Sequence, residues 1–218
     1  MPHTYNILTN QTAINYTMLK TLTRKYQQYQ YQRPISARAQ AQFQQLKRCL
    51  ANAPKPLILD SGCGRGMSSR QLAHRYPKHW IIALDQSTHR LAALQHNVPS
   101  NVIIIVENCI DFWRLLTKEP TICVEAHYLL YPNPWPKKQQ EKRRWYAHPI
   151  FPTLLALCPW THLRSNWLLY LQSCAIVAHQ AGRHTKLSKI TPTSPSMTHF
   201  EAKYHASHTT CFELTIYH

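Results

Sequence analysis

Three stretches of this chain combine residue types that could do chemistry. Leu57 to Gly66 reads LILDSGCGRG, an apolar run ending in an acid and then a G-x-G-x-G turn. The chain holds only four glycines, and three of them are Gly62, Gly64 and Gly66, which a tight turn close to a ligand would require. Two further apolar runs end in polar groups. WIIALDQ brings Asp85 and Gln86 to its end, and NVIIIVEN brings Glu107 and Asn108. A carboxylate at the second position can accept from both hydroxyls of a ribose. The Asn108 amide can bond an adenine amino group, cap the helix that follows, or do both. The second stretch, Tyr131-Pro-Asn-Pro-Trp-Pro-Lys-Lys138, places three prolines in five positions. Proline fixes its own φ and restricts the residue before it, so Asn133 and Trp135 are expected on a stiff loop. KKQQEKRR then supplies Lys137, Lys138, Lys142, Arg143 and Arg144, followed by Trp145 and Tyr146. Bases interleaved with aromatics suit phosphate contact and base packing. The third, His205-x-x-His208-x-x-Cys211, sets neighbours on opposite faces of a strand, so no metal is expected there.

The glycine pattern discriminates among nucleotide ligands. A dinucleotide fingerprint, G-x-G-x-x-G, needs its third glycine one residue later, and no G-x-x-x-x-G-K-[ST] is present. Asp60 directly before the turn attracts a cationic methionyl group and repels a pyrophosphate. S-adenosylmethionine is therefore the expected cofactor. Cys63 within the turn reads as a small apolar filler.

These stretches need a scaffold. Residues 56–62, 80–86 and 101–108 are near-continuous aliphatic runs, as strands buried on both faces should be. They recur every 20 to 25 residues or so with helix-like segments between, the spacing of βα units in a parallel sheet. Residues 122–132 and 161–166 read as a fourth and a fifth strand, and Ala37–Ala51 as an amphipathic helix. The tract beginning YQQYQ at Tyr26 reads as a solvated helix or linker. Residues 186–195 are expected to be a Pro/Ser/Thr loop, and 200–217 two closing antiparallel strands joined near 206–210. The domain division expected is 1–52 as a basic arm with helices and 53–218 as the main α/β domain.

Composition narrows the partner. With 218 residues, 25 Lys plus Arg and 9 Asp plus Glu, the formal charge is +16. A surface of that sign attracts polyanions, nucleic acid before acidic membranes. Acids are absent from residues 1–59 and 142–200, so each that exists is expected to have a specific task. Seven cysteines without a C-x-x-C pair indicate free thiols, hence a reducing compartment. No 18-residue apolar run and no N-terminal apolar segment are present, so a cytoplasmic protein away from membranes is expected.

The D-S-G-C-G-R-G turn resembles the cofactor motif of Rossmann-like class I S-adenosylmethionine-dependent methyltransferases. PNPWPKKQQEKRR is similar to the P-D-P-W-x-K-x-x-x-x-K-R-R signature of tRNA (guanine-N7) methyltransferases. Thr198-His-Phe-Glu201 resembles that family's T-x-[FY]-E element, Ser165-Asn166 falls at its T-D, and Thr9-Asn10-Gln11 is similar to its S-N-Q. The resemblance covers nearly the whole chain. It implies a mostly parallel sheet with an antiparallel C-terminal hairpin, and tRNA as partner of a monomer or homodimer. It implies that Asp60, Gly62, Gly64, Gly66, Asp85, Gln86, Asn108 and Asn133 meet the cofactor, with Asn133 at the catalytic position. Lys137, Asn166, Thr198 and Glu201 would meet the target nucleotide, and Lys138, Lys142, Arg143 and Arg144 the RNA backbone. Asn133 and Asn166 stand where the family carries acids. Neutral guanine has a free N7 lone pair, so methyl transfer there removes no proton and rests on alignment and electrostatics. An amide orients but supplies no negative charge, so a slower enzyme, an RNA-binding protein without turnover, or a methyltransferase with a non-tRNA substrate is implied.

Overall fold

A computed structural model describes residues 5, 7–28, 31–192 and 194–218. Residues 29 and 30 of the glutamine-rich tract lie outside the described residues. The contacts divide the chain into two units, one of residues 32–129 with 156–159, the other of 1–31, 130–155 and 160–218.

The first, here the glycine-turn unit, opens with α1's successor in the chain, α2 (Ala37–Asn52), α1 itself (Tyr16–Gln28) belonging to the other unit. Ser36 caps α2, its hydroxyl accepting from the Ala39 N–H, and Ala39, Phe43 and Leu46 form the buried stripe. Then β1 (Leu57–Ser61), α3 (Met67–Arg75), β2 (Trp80–Asp85), α4 (Thr88–Gln95), β3 (Val102–Val106), α5 (Cys109–Thr117) and β4 (Val124–Leu130) alternate. The four strands lie in the order β3-β2-β1-β4 and every pair is parallel. β1 is buried along its whole length, which is why it reads as an unbroken aliphatic run. The carboxyl ends of the adjacent strands β1, β2 and β3 carry Asp60, Asp85 and Glu107, all buried.

The second, the proline-loop unit, holds α1, the loop after β4, two 3₁₀ turns (Lys138–Arg143 and Trp145–Ala147) and most of α6 (Phe151–Ala156). It continues through β5 (Trp160–Ser165), α7 (Leu168–Gln180), β6 (His184–Lys189), α8 (His199–Ala206) and β7 (Phe212–Tyr217). β7 lies between β5 and β6, antiparallel to both. Leu163, Leu214 and Ile216 make its buried face.

The antiparallel closing pair is present, but its strands are β6 and β7, not two strands within 200–217. β6 takes residues 184–189, and with them 186–189 of the expected loop. It is exposed at five of its six positions and so lacks an apolar signature. Residues 199–206 are helical because Thr198 caps them, its hydroxyl accepting from the Glu201 N–H at 3.0 Å.

Candidate functional site

In the glycine-turn unit the turn is built as its sequence demands. Gly62, Gly64 and Gly66 have φ of +70°, +58° and +76°, a left-handed region costly for other residues. They differ in what a side chain would meet. A Cβ on Gly66 would lie 2.7 Å from the Leu94 side chain, so this glycine lets α3 pack against α4. A Cβ on Gly62 or Gly64 would meet nothing within 4 Å. Those two therefore keep open backbone surface at the strand end, which is what a ligand-cradling turn needs.

Carboxylates brace the turn. Asp85 accepts from the Gly64 N–H at 2.9 Å through one oxygen, and from the Ser87 N–H and Arg90 Nη2 at 2.9 Å each through the other. Asp60 is 1% exposed and accepts from the hydroxyls of Ser68 at 2.7 Å and Ser69 at 2.6 Å. Burial pushes its carboxyl up to about 6, the two serine hydrogen bonds opposing the rise. Asn108 caps α5, its oxygen accepting from the Asp111 N–H at 2.9 Å while its amine donates to Glu107 Oε1 and Asp111 Oδ2. Gln86 is exposed beside Asp85. Burial also raises the thiol of Cys63 strongly and that of Cys109 to about 12, so neither is an available thiolate. Ser68 and Ser69 were not among the expected site residues. Their signal was two adjacent hydroxyls in the first turn of the helix after the glycines.

In the proline-loop unit the loop is stiffer than its prolines alone make it. Tyr131 and Trp135, each before a proline, have φ of +52° and +46°. Non-glycine residues in this region cost on the order of 1 kcal/mol each and persist only when their surroundings hold them. The Tyr131 N–H donates to the Arg164 carbonyl at 2.9 Å, and the Trp135 N–H donates to Asn133 Oδ1 at 3.2 Å. Arg144 does most of the rest. It is fully buried and donates to the Trp135 carbonyl from Nε at 3.2 Å and Nη2 at 3.0 Å. Its Nη1 donates to Gln11 Oε1 at 2.7 Å and to the Tyr146 hydroxyl at 2.9 Å, lies 3.5 Å from Glu141, and the guanidinium sits 4.6 Å from the Trp167 ring centre. Its place in a basic run makes Arg144 an expected RNA-backbone contact, but a guanidinium buried this fully is turned away from any such partner. It is the internal rivet of the loop.

The amino-terminal segment closes over the same loop. Thr9 Oγ1 donates to the Pro136 carbonyl at 2.5 Å, Asn10 Oδ1 accepts from the Lys138 N–H at 2.8 Å, and Gln11 Nε2 and Asn15 Nδ2 each donate to Glu141 at 3.2 Å. With Arg144 and Glu141 turned inward, Asn133, Lys137, Lys138, Lys142 and Arg143 are left exposed. Arg143 lies 4.9 Å over the Trp135 ring.

Glu201, expected to read a target base, is 0% exposed. Arg164 Nη1 donates to both its oxygens at 3.2 and 2.9 Å, the Tyr131 hydroxyl to one at 2.9 Å, and the Met197 N–H to the other at 3.0 Å. A base could reach those oxygens only by displacing these donors, so this carboxylate is a structural anchor. Thr198 spends its oxygen on the cap of α8, and Asn166, half-buried, donates to the Tyr5 carbonyl at 3.1 Å. Among the described residues no group of three or more His, Cys, Asp or Glu could hold a metal ion, and no helix is long and apolar enough to cross a membrane.

Comparison with known proteins gives this geometry a family. The chain is 29% identical over 156 residues to a tRNA (guanine-N(7)-)-methyltransferase of Nitrosococcus oceani, covering 67% of this chain and 64% of that protein. It is 26% identical over 125 residues to one from Neisseria gonorrhoeae, covering 54% and 52%. The matched region thus spans about half to just under two thirds of these relatives' length. Among solved structures, the 16S rRNA (adenine(1408)-N(1))-methyltransferase of Catenulisporales acidiphilia superposes with a TM-score of 0.54 at 13% identity, over 80% of this chain and 90% of that one. This likeness shows the class I methyltransferase fold. The family model described as "Putative methyltransferase" matches residues 54–214, which takes in the glycine turn, the proline loop and the Thr198–Glu201 cap, and the chain belongs to that family.

Proposed function

We propose that this protein transfers a methyl group from S-adenosylmethionine to N7 of a guanine in tRNA. The observation that carries the reading is the Asn133–Arg143 loop. It is rigidly held, exposed, and stripped of negative charge because its single acid, Glu141, is buried against Arg144. The family membership and the names of the relatives support methyl transfer, and the cationic surface supports a nucleic acid.

The cofactor fits the glycine-turn unit. Gly62 and Gly64 offer open backbone and Gln86 is exposed, while Asp85 and Asn108, whose polar atoms hold the turn and the α5 cap, would meet ribose and adenine by exchanging some of those partners. Asp60 places a carboxyl of raised affinity for protons at the end of β1, and a cationic methionyl group would favour its ionised form. The cofactor, when bound, supplies an electrophilic methyl on a positively charged sulfur. The chain's contribution is alignment: Asn133 would orient by its amide, and Lys137 and Asn166 would meet the nucleotide, with Thr198 holding the α8 cap. Glu201 acts at one remove, by fixing Arg164 and Tyr131 beneath that side.

Purified protein, labelled cofactor and unmodified bulk tRNA test the reading, with mass spectrometry of the digested tRNA for 7-methylguanosine. A second reading rests on Asn133 and Asn166: an RNA-binding protein of this fold without turnover. Cofactor and tRNA binding with no methyl incorporated would select it. Methyl found on a protein or small molecule but not on tRNA would overturn both.

A further inference from the structure

The net charge is not shared evenly. The proline-loop unit holds 13 Lys and Arg against 3 acids, the glycine-turn unit 12 against 6, so the excesses are +10 and +6. All three acids of the proline-loop unit are spent internally: Glu141 on Arg144, and Glu201 and Glu213 on Arg164. The remaining bases have no acid among the described residues of that unit to offset them.

Several of them lie in one line. α1 packs its Leu19 and Leu22 side inward and carries Tyr16, Lys20 and Arg24 on the exposed side. Residues spaced by four share a helix face, and each step of four advances about 6 Å along the axis, close to the separation of neighbouring phosphates on an RNA strand. Tyr16, at the head of the stripe, is 65% exposed. α1 holds no acid anywhere in its sequence. Its direction is fixed relative to the proline loop at both ends. Asn15, just before it, bonds Glu141 in the first 3₁₀ turn, and the Tyr26 hydroxyl near its end donates to the Tyr146 carbonyl at 2.6 Å and to that of His148 at 3.2 Å. α1 is therefore tied alongside the 138–148 segment, which carries the exposed cluster of Lys138, Lys142 and Arg143.

We propose that Tyr16, Lys20 and Arg24 form a phosphate-tracking stripe on α1 that carries the tRNA backbone onward from the Lys138–Arg143 cluster. This rests on the tRNA reading above. Lys20 and Arg24 would neutralise successive phosphates, and the Tyr16 ring would pack on a sugar or an unstacked base. Nothing in the stripe touches the groups that hold the proline loop, so its removal should leave cofactor binding and turnover at saturating tRNA intact.

The test compares tRNA binding across a salt series for the unaltered protein, the Lys20→Ala/Arg24→Ala variant, and a Lys78→Ala/Lys118→Ala control. The control makes the same charge change at exposed positions of the glycine-turn unit. The stripe variant should lower the log–log slope by about two and weaken binding roughly tenfold or more near 0.1 M salt. It should raise KM for tRNA while leaving kcat, cofactor affinity and the thermal midpoint unchanged, and the control should leave the slope alone. An unchanged slope in the stripe variant, or an equal loss in the control, overturns the stripe while sparing the tRNA reading. Salt-insensitive or absent tRNA binding by the unaltered protein overturns both.

Discussion

In the glycine-turn unit the deeply buried charges are carboxylates, Asp60, Asp85, Glu107 and Asp111, whereas in the proline-loop unit each buried carboxylate is locked to a guanidinium, Glu141 to the buried Arg144 and Glu201 to Arg164. The two chemistries do different work. A carboxylate only accepts, so it gathers the N–H and hydroxyl donors that crowd the end of a parallel strand and the start of the next helix. Three such groups on adjacent strand ends leave a region rich in acceptors, suited to hydroxyls and to positive charge. A guanidinium only donates, in a rigid planar fork, so it ties together carbonyls of irregular backbone. Arg144 does this for Trp135, while Arg164 turns the same fork on the carboxylates of Glu201 and Glu213. One unit spends its buried charge on shaping a receptor. The other spends it on bracing loops, which leaves its remaining bases facing outward.

The largest effect should come from breaking a brace. Arg144→Ala leaves the buried Glu141 without its guanidinium and the Trp135 carbonyl without donors, and should cost about 3 to 5 kcal/mol of stability in urea unfolding. Arg144→Lys should recover little of this, because one ammonium cannot span Trp135, Gln11 and Tyr146 in a plane. Lys142→Ala and Arg143→Ala, two exposed neighbours in the same basic run, should stay within about 0.5 kcal/mol of the unaltered protein. Equal stability for Arg144→Ala and its neighbours would erase the distinction between braces and surface bases.

Glu201→Gln comes next, at about 2 to 4 kcal/mol, since the new amine must face Arg164 in either orientation, together with the Met197 N–H or the Tyr131 hydroxyl. Methyl transfer should fall together with stability. A variant with normal unfolding and selectively lost kcat/KM would restore Glu201 as a reader of the base. The contrast between this residue and the glycine turn shows what a sequence displays. Gly62 to Asp85 is a local pattern whose spacing is itself the geometry, and β1 and β2 announce themselves by burial on both faces. The anchoring of Glu201 depends on Tyr131 and Arg164, and that of Arg144 on Gln11, which lies 133 residues away. No local spacing encodes such partners. The strand missed at 184–189 has the opposite cause, since an edge strand exposed along most of its length has no apolar alternation to read. The helix of 199–206 was legible in principle, because T-x-x-E is a capping signature.

Asp60 should show a stability effect of the opposite sign. Its folded carboxyl is raised to about 6 from the ordinary 3.8, so the native state holds the proton more tightly than the unfolded chain. Stability is then lost as pH climbs from about 4 to 6 and stays lost above. Asp60→Asn removes that cost and can still accept from Ser68 and Ser69. It should gain on the order of 2 to 3 kcal/mol at pH 8 and almost nothing at pH 4, while losing affinity for S-adenosylmethionine. Calorimetry at the two pH values measures both. A variant that binds the cofactor normally would take Asp60 out of the receptor.

Glu213 supplies the smallest effect and the mirror image of Asp60. Burial alone would raise its carboxyl, but the His162 hydrogen bond and the Arg164 guanidinium outweigh burial and bring it down to about 2 from 4.5. The native state therefore holds this proton less tightly than the unfolded chain. The stabilisation is complete above pH 4.5 or so and is lost as pH falls towards 2. Taken alone the shift would correspond to more, but the side chain is 21% exposed and partly screened, which brings the expected contribution to about 1 to 2 kcal/mol. The difference in unfolding free energy between the unaltered protein and Glu213→Gln should be constant from pH 8 to 5 and shrink between pH 4.5 and 3. In the same window Asp60→Asn should differ little from the unaltered protein. If both differences moved the same way with pH, the two units would not be holding their charges in opposite senses, and the receptor-and-brace division would fail at its most direct electrostatic consequence.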